Sequence, residues 1–167
     1  MRARFQQQLS LEVIPINEVA INRRTRHQLA PLLVTLQYAF IDKELSEEIF
    51  KILEVKILKG KKRTGGLGMS LWEILVLGTN KLNLEIDYDF LHDLANSHTE
   101  LRGILGVERS DYTSGKKYDD QTLVDMVDNV KLLDEETIHE ISDVIVRASH
   151  GIIKKRGRGL FKFGDKG

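Results

Sequence analysis

Apolar residues recur at helical spacing along most of this chain. From His27 to Phe40 they fall at Leu29, Leu32, Leu33, Leu36 and Phe40, which predicts a helix with Pro31 tolerated in its first turn. A second helix, Lys43 to about Leu58, carries Leu45, Ile49, Phe50, Ile52, Leu53 and Val55 on one broad face. A third starts at Ser70. Ser70 and Glu73 make a capping-box pattern, and Leu71, Trp72, Leu75, Val76, Leu77 and Leu82 surround the axis, so this helix is expected at the centre. Leu84 to Asp87 reads as a turn with Asp87 capping Tyr88 to Ala95, and Thr99 as the cap of a short helix ending near Gly103 to Gly106. Helical spacing returns from Gln121 to Leu133. Asp134 then caps a long helix through Ile138, Ile141, Ile145, Val146, Ile152 and Ile153, acidic at its start and basic at its end, as the helix dipole favours.

The segments between these helices are polar or glycine-rich. Phe5 to Ile16 alternates weakly and ends in Ile-Pro-Ile, which predicts an extended arm with room for one short strand. Gly60 to Gly68 (GKKRTGGLG) is a basic break that lacks the Gly-Lys-Ser/Thr ending and the leading strand of a nucleotide-binding loop. It reads as a mobile connector, with contact to nucleic-acid phosphates the other open reading. Glu108 to Asp120 reads as an exposed loop or domain joint. The expected division is an extended basic arm over 1–26, a helical domain over 27–107, a helical hairpin over 120–153 and a basic, disordered tail over 154–167. No repeat occurs at a fixed spacing. The fold class is mainly α, a helical bundle.

Composition adds limits. The chain has 167 residues, 41% hydrophobic and 30% charged, with no Cys, so it can bury a core, has no disulfide framework or Cys-ligated zinc, and suits a reducing cytoplasm. No segment approaches the roughly 20 apolar residues that span a bilayer, so no membrane partner is expected. Net charge is zero, yet the charges segregate. Bases gather at Arg2 and Arg4, at Arg23, Arg24 and Arg26, at Lys59, Lys61, Lys62 and Arg63, and at Lys154, Lys155, Arg156 and Arg158. Acids gather from Glu85 to Asp93 and from Asp119 to Asp143.

Candidate chemistry is sparse. Glu85, Asp87, Asp89 and Asp93 form the densest acidic cluster, and helix caps and solvent-facing charges explain them better than a two-metal site. His27, His92, His98, His139 and His150 have no metal-ligand spacing, and no Ser-His-Asp arrangement stands out. No cofactor is expected, and the chain does not read as a self-sufficient enzyme. Trp72 reads as core.

Several blocks, in order, resemble the N-terminal region of insertion-sequence transposases of the DDE class, the ISNCY-type group in particular. The most specific run from Gly68 through Met69, Ser70, Leu71, Trp72 and Glu73 to Gly78, then Asp87-Tyr88-Asp89 and Leu91-His92-Asp93-Leu94-Ala95-Asn96. Supporting blocks are Phe5-Gln6-Gln7-Gln8-Leu9, Ile14-Pro15-Ile16, Val130-Lys131-Leu132-Leu133 and Ala148-Ser149-His150, and together they cover Arg4 to about Lys155.

The resemblance implies a region that grips terminal-inverted-repeat DNA at transposon ends, with strand transfer done by a downstream RNase H-like domain whose acids bind divalent metal. Here Lys154 onward reads KKRGRGLFKFGDKG, so the catalytic domain is expected to be missing, through a frameshift or an early stop, and Asp165 is given no catalytic role. With the resemblance, Arg23, Arg24, Arg26, Lys61, Lys62, Arg63, Lys154, Lys155, Arg156 and Arg158 become the candidate contacts to double-stranded DNA. The helices around Leu84 to Asp87 become a helix-turn-helix-like pair. Free amides at the starts of the helices that follow Arg26 and Arg63 would add to phosphate binding. A homodimer, or a mixed dimer with full-length transposase, is a further expectation. The rival readings are a helical protein-interaction module, with the Ser70 and Asp134 helices as a dimer seam, and a remnant without activity.

Overall fold

A computed structural model describes residues 3–5, 13–59, 68–108 and 117–156. Among them are seven α-helices: α1 (Leu29–Ile41), α2 (Lys43–Ile57), α3 (Leu71–Leu84), α4 (Tyr88–Ser97), α5 (Thr99–Leu105), α6 (Asp120–Val130) and α7 (Glu135–Arg156). The described residues contain no strand, so the fold is mainly α. The short strand expected before Ile16 is corrected at its described end. Pro15 cannot donate to a ladder and instead opens a 3₁₀ turn, Ile16–Glu18, in which Glu18 N–H bonds Pro15 O at 2.9 Å. Residues 6–12 lie outside the described residues.

Each helix begins where a side chain can accept an orphan amide. Asp42 ends α1 and begins α2 within one residue, its carboxylate accepting from Leu45 N–H at 3.0 Å. Asp87 does the same for α4, Asp119 for α6 and Asp134 for α7. Hydrogen bonds from Thr122 and Thr137 hold the Asp119 and Asp134 carboxyls below their ordinary range. The cap of α5 is His98, whose Nδ1 accepts from Leu101 N–H at 3.1 Å; the expected cap, Thr99, is already the first helical residue.

The core is built around α3, where every residue from Leu71 to Gly78 is buried. Trp72 is sealed between Phe40 and Phe50, with ring centroids 4.9 and 6.5 Å away, and its indole N–H donates to Ile104 O at 2.7 Å. α1, α2, α4, α5 and α6 all pack on this helix, and α7 lies along α2. Gly78 lets the turn after α6 come close, since a Cβ there would stand 2.6 Å from Leu133 Cδ2. Met126, Val130, Leu133, Ile141 and Val144 of the α6–α7 segment join the same apolar cluster as α1 to α5.

Two further expectations change. Val55 is 65% exposed, off the buried face of α2. Glu108 and Tyr118, placed by sequence in an exposed loop, are buried, and Tyr118 exchanges hydrogen bonds with Asn96 at 2.6 and 2.7 Å. Residues 109–116 lie outside the described residues. The dimer seam assigned to the Ser70 helix has no free surface over Leu71 to Gly78, because that stretch is the core of the protein itself. No helix among the described residues is long and apolar enough to cross a membrane.

The Trp72→Phe substitution should cost about 2–3 kcal/mol, because it leaves a void and strands the Ile104 carbonyl. Urea denaturation checks this, and an unchanged midpoint would contradict the packing described. At Gly106, φ is +80° and a Cβ would meet the Phe5 ring at 2.8 Å. Gly106→Ala should therefore cost about 1–2 kcal/mol by the same measurement.

Candidate nucleic-acid interface

The clearest basic surface is the loop before α1, where Arg23, Arg24 and Arg26 are all exposed. None of the three forms an ion pair among the described residues. The loop is nevertheless fixed. Asn22 N–H donates to Glu100 Oε1 at 3.0 Å, and Arg24 N–H to Asn22 Oδ1 at 3.0 Å. His27 N–H donates to Thr25 Oγ1 at 3.2 Å, and Leu29 N–H to His27 Nδ1 at 3.1 Å. These short-range side-chain bonds take the place of helix or ladder bonds, as Asn and Thr favour in turns. Upstream, Gln37 Nε2 donates to Ile16 O and Val19 O at 2.9 and 2.8 Å, tying the approach to α1. Val19 packs over Gly103, where a Cβ would lie 3.0 Å away.

The other candidates fall elsewhere. Lys61, Lys62, Arg63 and Arg158 lie outside the described residues. Lys154, Lys155 and Arg156 lie in the last turn of α7. α7 packs on α2, with Lys56–Glu140 at 3.8 Å and Arg147–Glu48 at 3.6 Å, whereas the arginine loop is bonded to α5.

Arg4, grouped by sequence with the basic clusters, is engaged in the fold. Its guanidinium bonds Glu54 at 2.6 Å and Glu47 at 2.7 Å and sits 5.7 Å over the Phe50 ring. Hydrogen bonds from Glu54, then Glu47, hold the guanidinium above its ordinary pKa, and Arg4 in turn lowers that of Glu47.

The start of α3 is not open to phosphate. Leu71 N–H and Trp72 N–H donate to Ala3 O and Arg4 O, both at 2.9 Å, and Glu73 N–H donates to Ser70 Oγ at 3.2 Å. The expectation of free amides there is corrected, because the arm's own carbonyls occupy them.

The pair α3–α4 is present, joined through Glu85 in the left-handed region (φ +52°) and Asp87. The charge on α4 opposes phosphate. Its exposed residues are Asp89, Phe90, Asp93 and Ser97, and His92 is held against Asp119 O at 3.1 Å. Lys81, at the end of α3, lies 4.6 Å over the Tyr88 ring. No three His, Asp or Glu side chains among the described residues are placed to hold a metal ion.

Arg102 was not singled out by sequence, and it is fully buried. Its Nε donates to Glu108 O at 2.6 Å and its Nη1 to Ala95 O at 2.9 Å, locking together α4, α5 and the stretch of chain that follows. Burial, then the charge of Glu73, push the nearby Tyr118 hydroxyl well above its ordinary pKa, against the opposing field of Arg102. The only sequence signal for this role is the unbroken apolar context of Leu101, Gly103, Ile104 and Leu105.

No protein-family model, curated protein or solved structure matches this chain.

The two kinds of arginine should respond differently to removal. Arg102→Ala strands buried carbonyls and leaves a cavity, and should cost about 3–5 kcal/mol. The triple variant Arg23→Ala, Arg24→Ala, Arg26→Ala should stay within about 0.5 kcal/mol of the parent. Thermal denaturation separates the two, and a large loss in the triple variant would place those side chains in the fold.

Proposed function

We propose that this chain recognises duplex DNA at the terminal inverted repeats of an insertion sequence, as the end-binding portion of a DDE transposase. The observation that carries the reading is the set of exposed arginines at 23, 24 and 26, unpaired among the described residues and presented on a bonded loop. That loop belongs to a chain whose sequence blocks run in the order of the transposase N-terminal region.

Guanidinium groups suit this task. They stay charged, they bind phosphate oxygens in pairs, and they shed water more easily than an ammonium. A loop already held by backbone bonds loses less freedom on binding than a slack one. Zero net charge does not oppose this, because phosphate contacts depend on local potential. Phosphate contacts set position on the duplex, while sequence is read by groups reaching base edges. The acidic surface of α4 makes it a poor recognition helix, so the proposal places first contact at the arginine loop. The basic last turn of α7 is a second candidate contact.

Gel-shift titrations over a salt series on inverted-repeat duplexes test this. Affinity should rise steeply as salt falls. The slope of log K against log salt should shrink by roughly 2.7 in the triple arginine variant, at about 0.9 for each phosphate that an arginine no longer neutralises. Absence of binding at about 50 mM salt, or an unchanged slope in the variant, would reject the reading.

A further inference from the structure

The last helix leaves a gap in the fold. α7 packs along α2, where Lys56 meets Glu140 at 3.8 Å and Arg147 meets Glu48 at 3.6 Å, and it makes no comparable contact with α1 or α3. Between α7 and those two helices lies a cavity of about 90 Å³. Leu36 of α1, Leu75 of α3 and Ile141 of α7 are buried in its walls. Half-buried Thr79 and the exposed Asn83 and Ser142 stand at its mouth. Protein interiors seldom leave a void larger than a water molecule, and a void with apolar walls holds water poorly.

The polar groups at the mouth have capacity to spare. A hydroxyl on a helix often bonds back to the carbonyl four residues earlier. Thr35, Ser97 and Ser149 do so, at 2.9, 2.6 and 2.9 Å. The Thr79 and Ser142 hydroxyls make no such bond among the described residues, so each keeps a proton to donate. The Asn83 amide donates to Thr79 O at 2.8 Å, which leaves its own carbonyl oxygen able to accept. No charged side chain among the described residues lines the cavity.

We propose that this cavity binds a small, neutral, branched-chain alcohol, its alkyl body against the apolar walls and its hydroxyl among Thr79, Asn83 and Ser142. Volume sets the body. A cavity of about 150 Å³ accepts benzene, so one of about 90 Å³ accommodates roughly four or five carbons. A branched chain holds those carbons in a compact shape and loses less rotamer freedom on entry than a linear one. The head group follows from the mouth. A hydroxyl can accept from Thr79 or Ser142 and donate to Asn83 Oδ1, whereas an ionised group would shed its hydration without meeting an opposite charge. The bound alcohol bridges α7 to α1 and α3, which the fold leaves apart. The site is independent of the DNA reading, since none of the loop arginines lines it.

The test titrates the full, isotope-labelled chain with isoamyl alcohol, and separately with isovalerate as its charged counterpart, and follows the amide shifts by NMR. The alcohol should give saturable shifts at Leu75, Thr79 and Ser142 with a dissociation constant on the order of 1 mM. The carboxylate should bind at least about tenfold more weakly. Ser142→Leu closes the mouth with a better helix former and should abolish binding. Ser142→Ala removes one hydroxyl without filling the space and should weaken binding about threefold to tenfold. Shifts at the cavity residues that stay absent or linear up to about 20 mM alcohol overturn the site. So does undiminished binding by the Ser142→Leu variant, because the shifts then arise elsewhere. Equal binding of the carboxylate, or full affinity in Ser142→Ala, overturns the neutral, hydroxyl-bearing ligand assigned to it.

Discussion

A helix whose first turn is buried has to find acceptors for amides that water would otherwise satisfy, and this fold is organised around that requirement at α3. Ser70 serves one amide, and the carbonyls of Ala3 and Arg4 serve two more. The arm is held in place by the forked ion pairs of Arg4 with Glu47 and Glu54 on α2. Phe5 then lies against Phe40, which lies against Trp72, and the Trp72 indole donates to the Ile104 carbonyl of α5. Charge pairing at the surface, backbone capping and aromatic packing therefore act on one set of residues. With these links in place, a helix apolar on most sides can sit inside a protein of modest size.

Much of this was legible in the amino-acid order. The spacing of apolar residues gave the helices to within a few residues, and the Asp and Ser caps at 70, 87 and 134 were readable from local chemistry. The central place of the Ser70 helix followed from its lack of a polar face. What stayed hidden depended on contacts distant in sequence. Nothing near Arg4 marks it as a partner of Glu54, fifty residues on. His98 outcompetes Thr99 as a cap because of where α4 delivers the chain, against the usual preference for Thr. Arg102, Glu108 and Tyr118 look like surface residues by type, and they are buried because they satisfy one another's neighbourhood in the core.

The candidate site was only partly legible for the same reason. Sequence grouped bases by proximity along the chain and could not distinguish cations engaged in the fold from those left over. Arg4 belongs to the first kind, and Arg23, Arg24 and Arg26 to the second. It also suggested a recognition helix from the order of two helices joined by a turn, where the exposed aspartates of α4 argue for a different surface. Charge segregation in a neutral chain thus resolves into a basic loop on one element and acidic helices elsewhere. The loop's hydrogen bonds come from Asn22, Thr25, His27 and Glu100 rather than from its arginines, so the residues that present the arginines are separate from the arginines themselves.

The most direct test of the proposed DNA contact is an amide spectrum of the labelled chain titrated with an inverted-repeat duplex. The account predicts that the amides of residues 22–28 and the start of α1 shift first and most, while those of α4 stay in place. Shifts concentrated on Asp89 to Ser97, with the arginine loop unmoved, would contradict it.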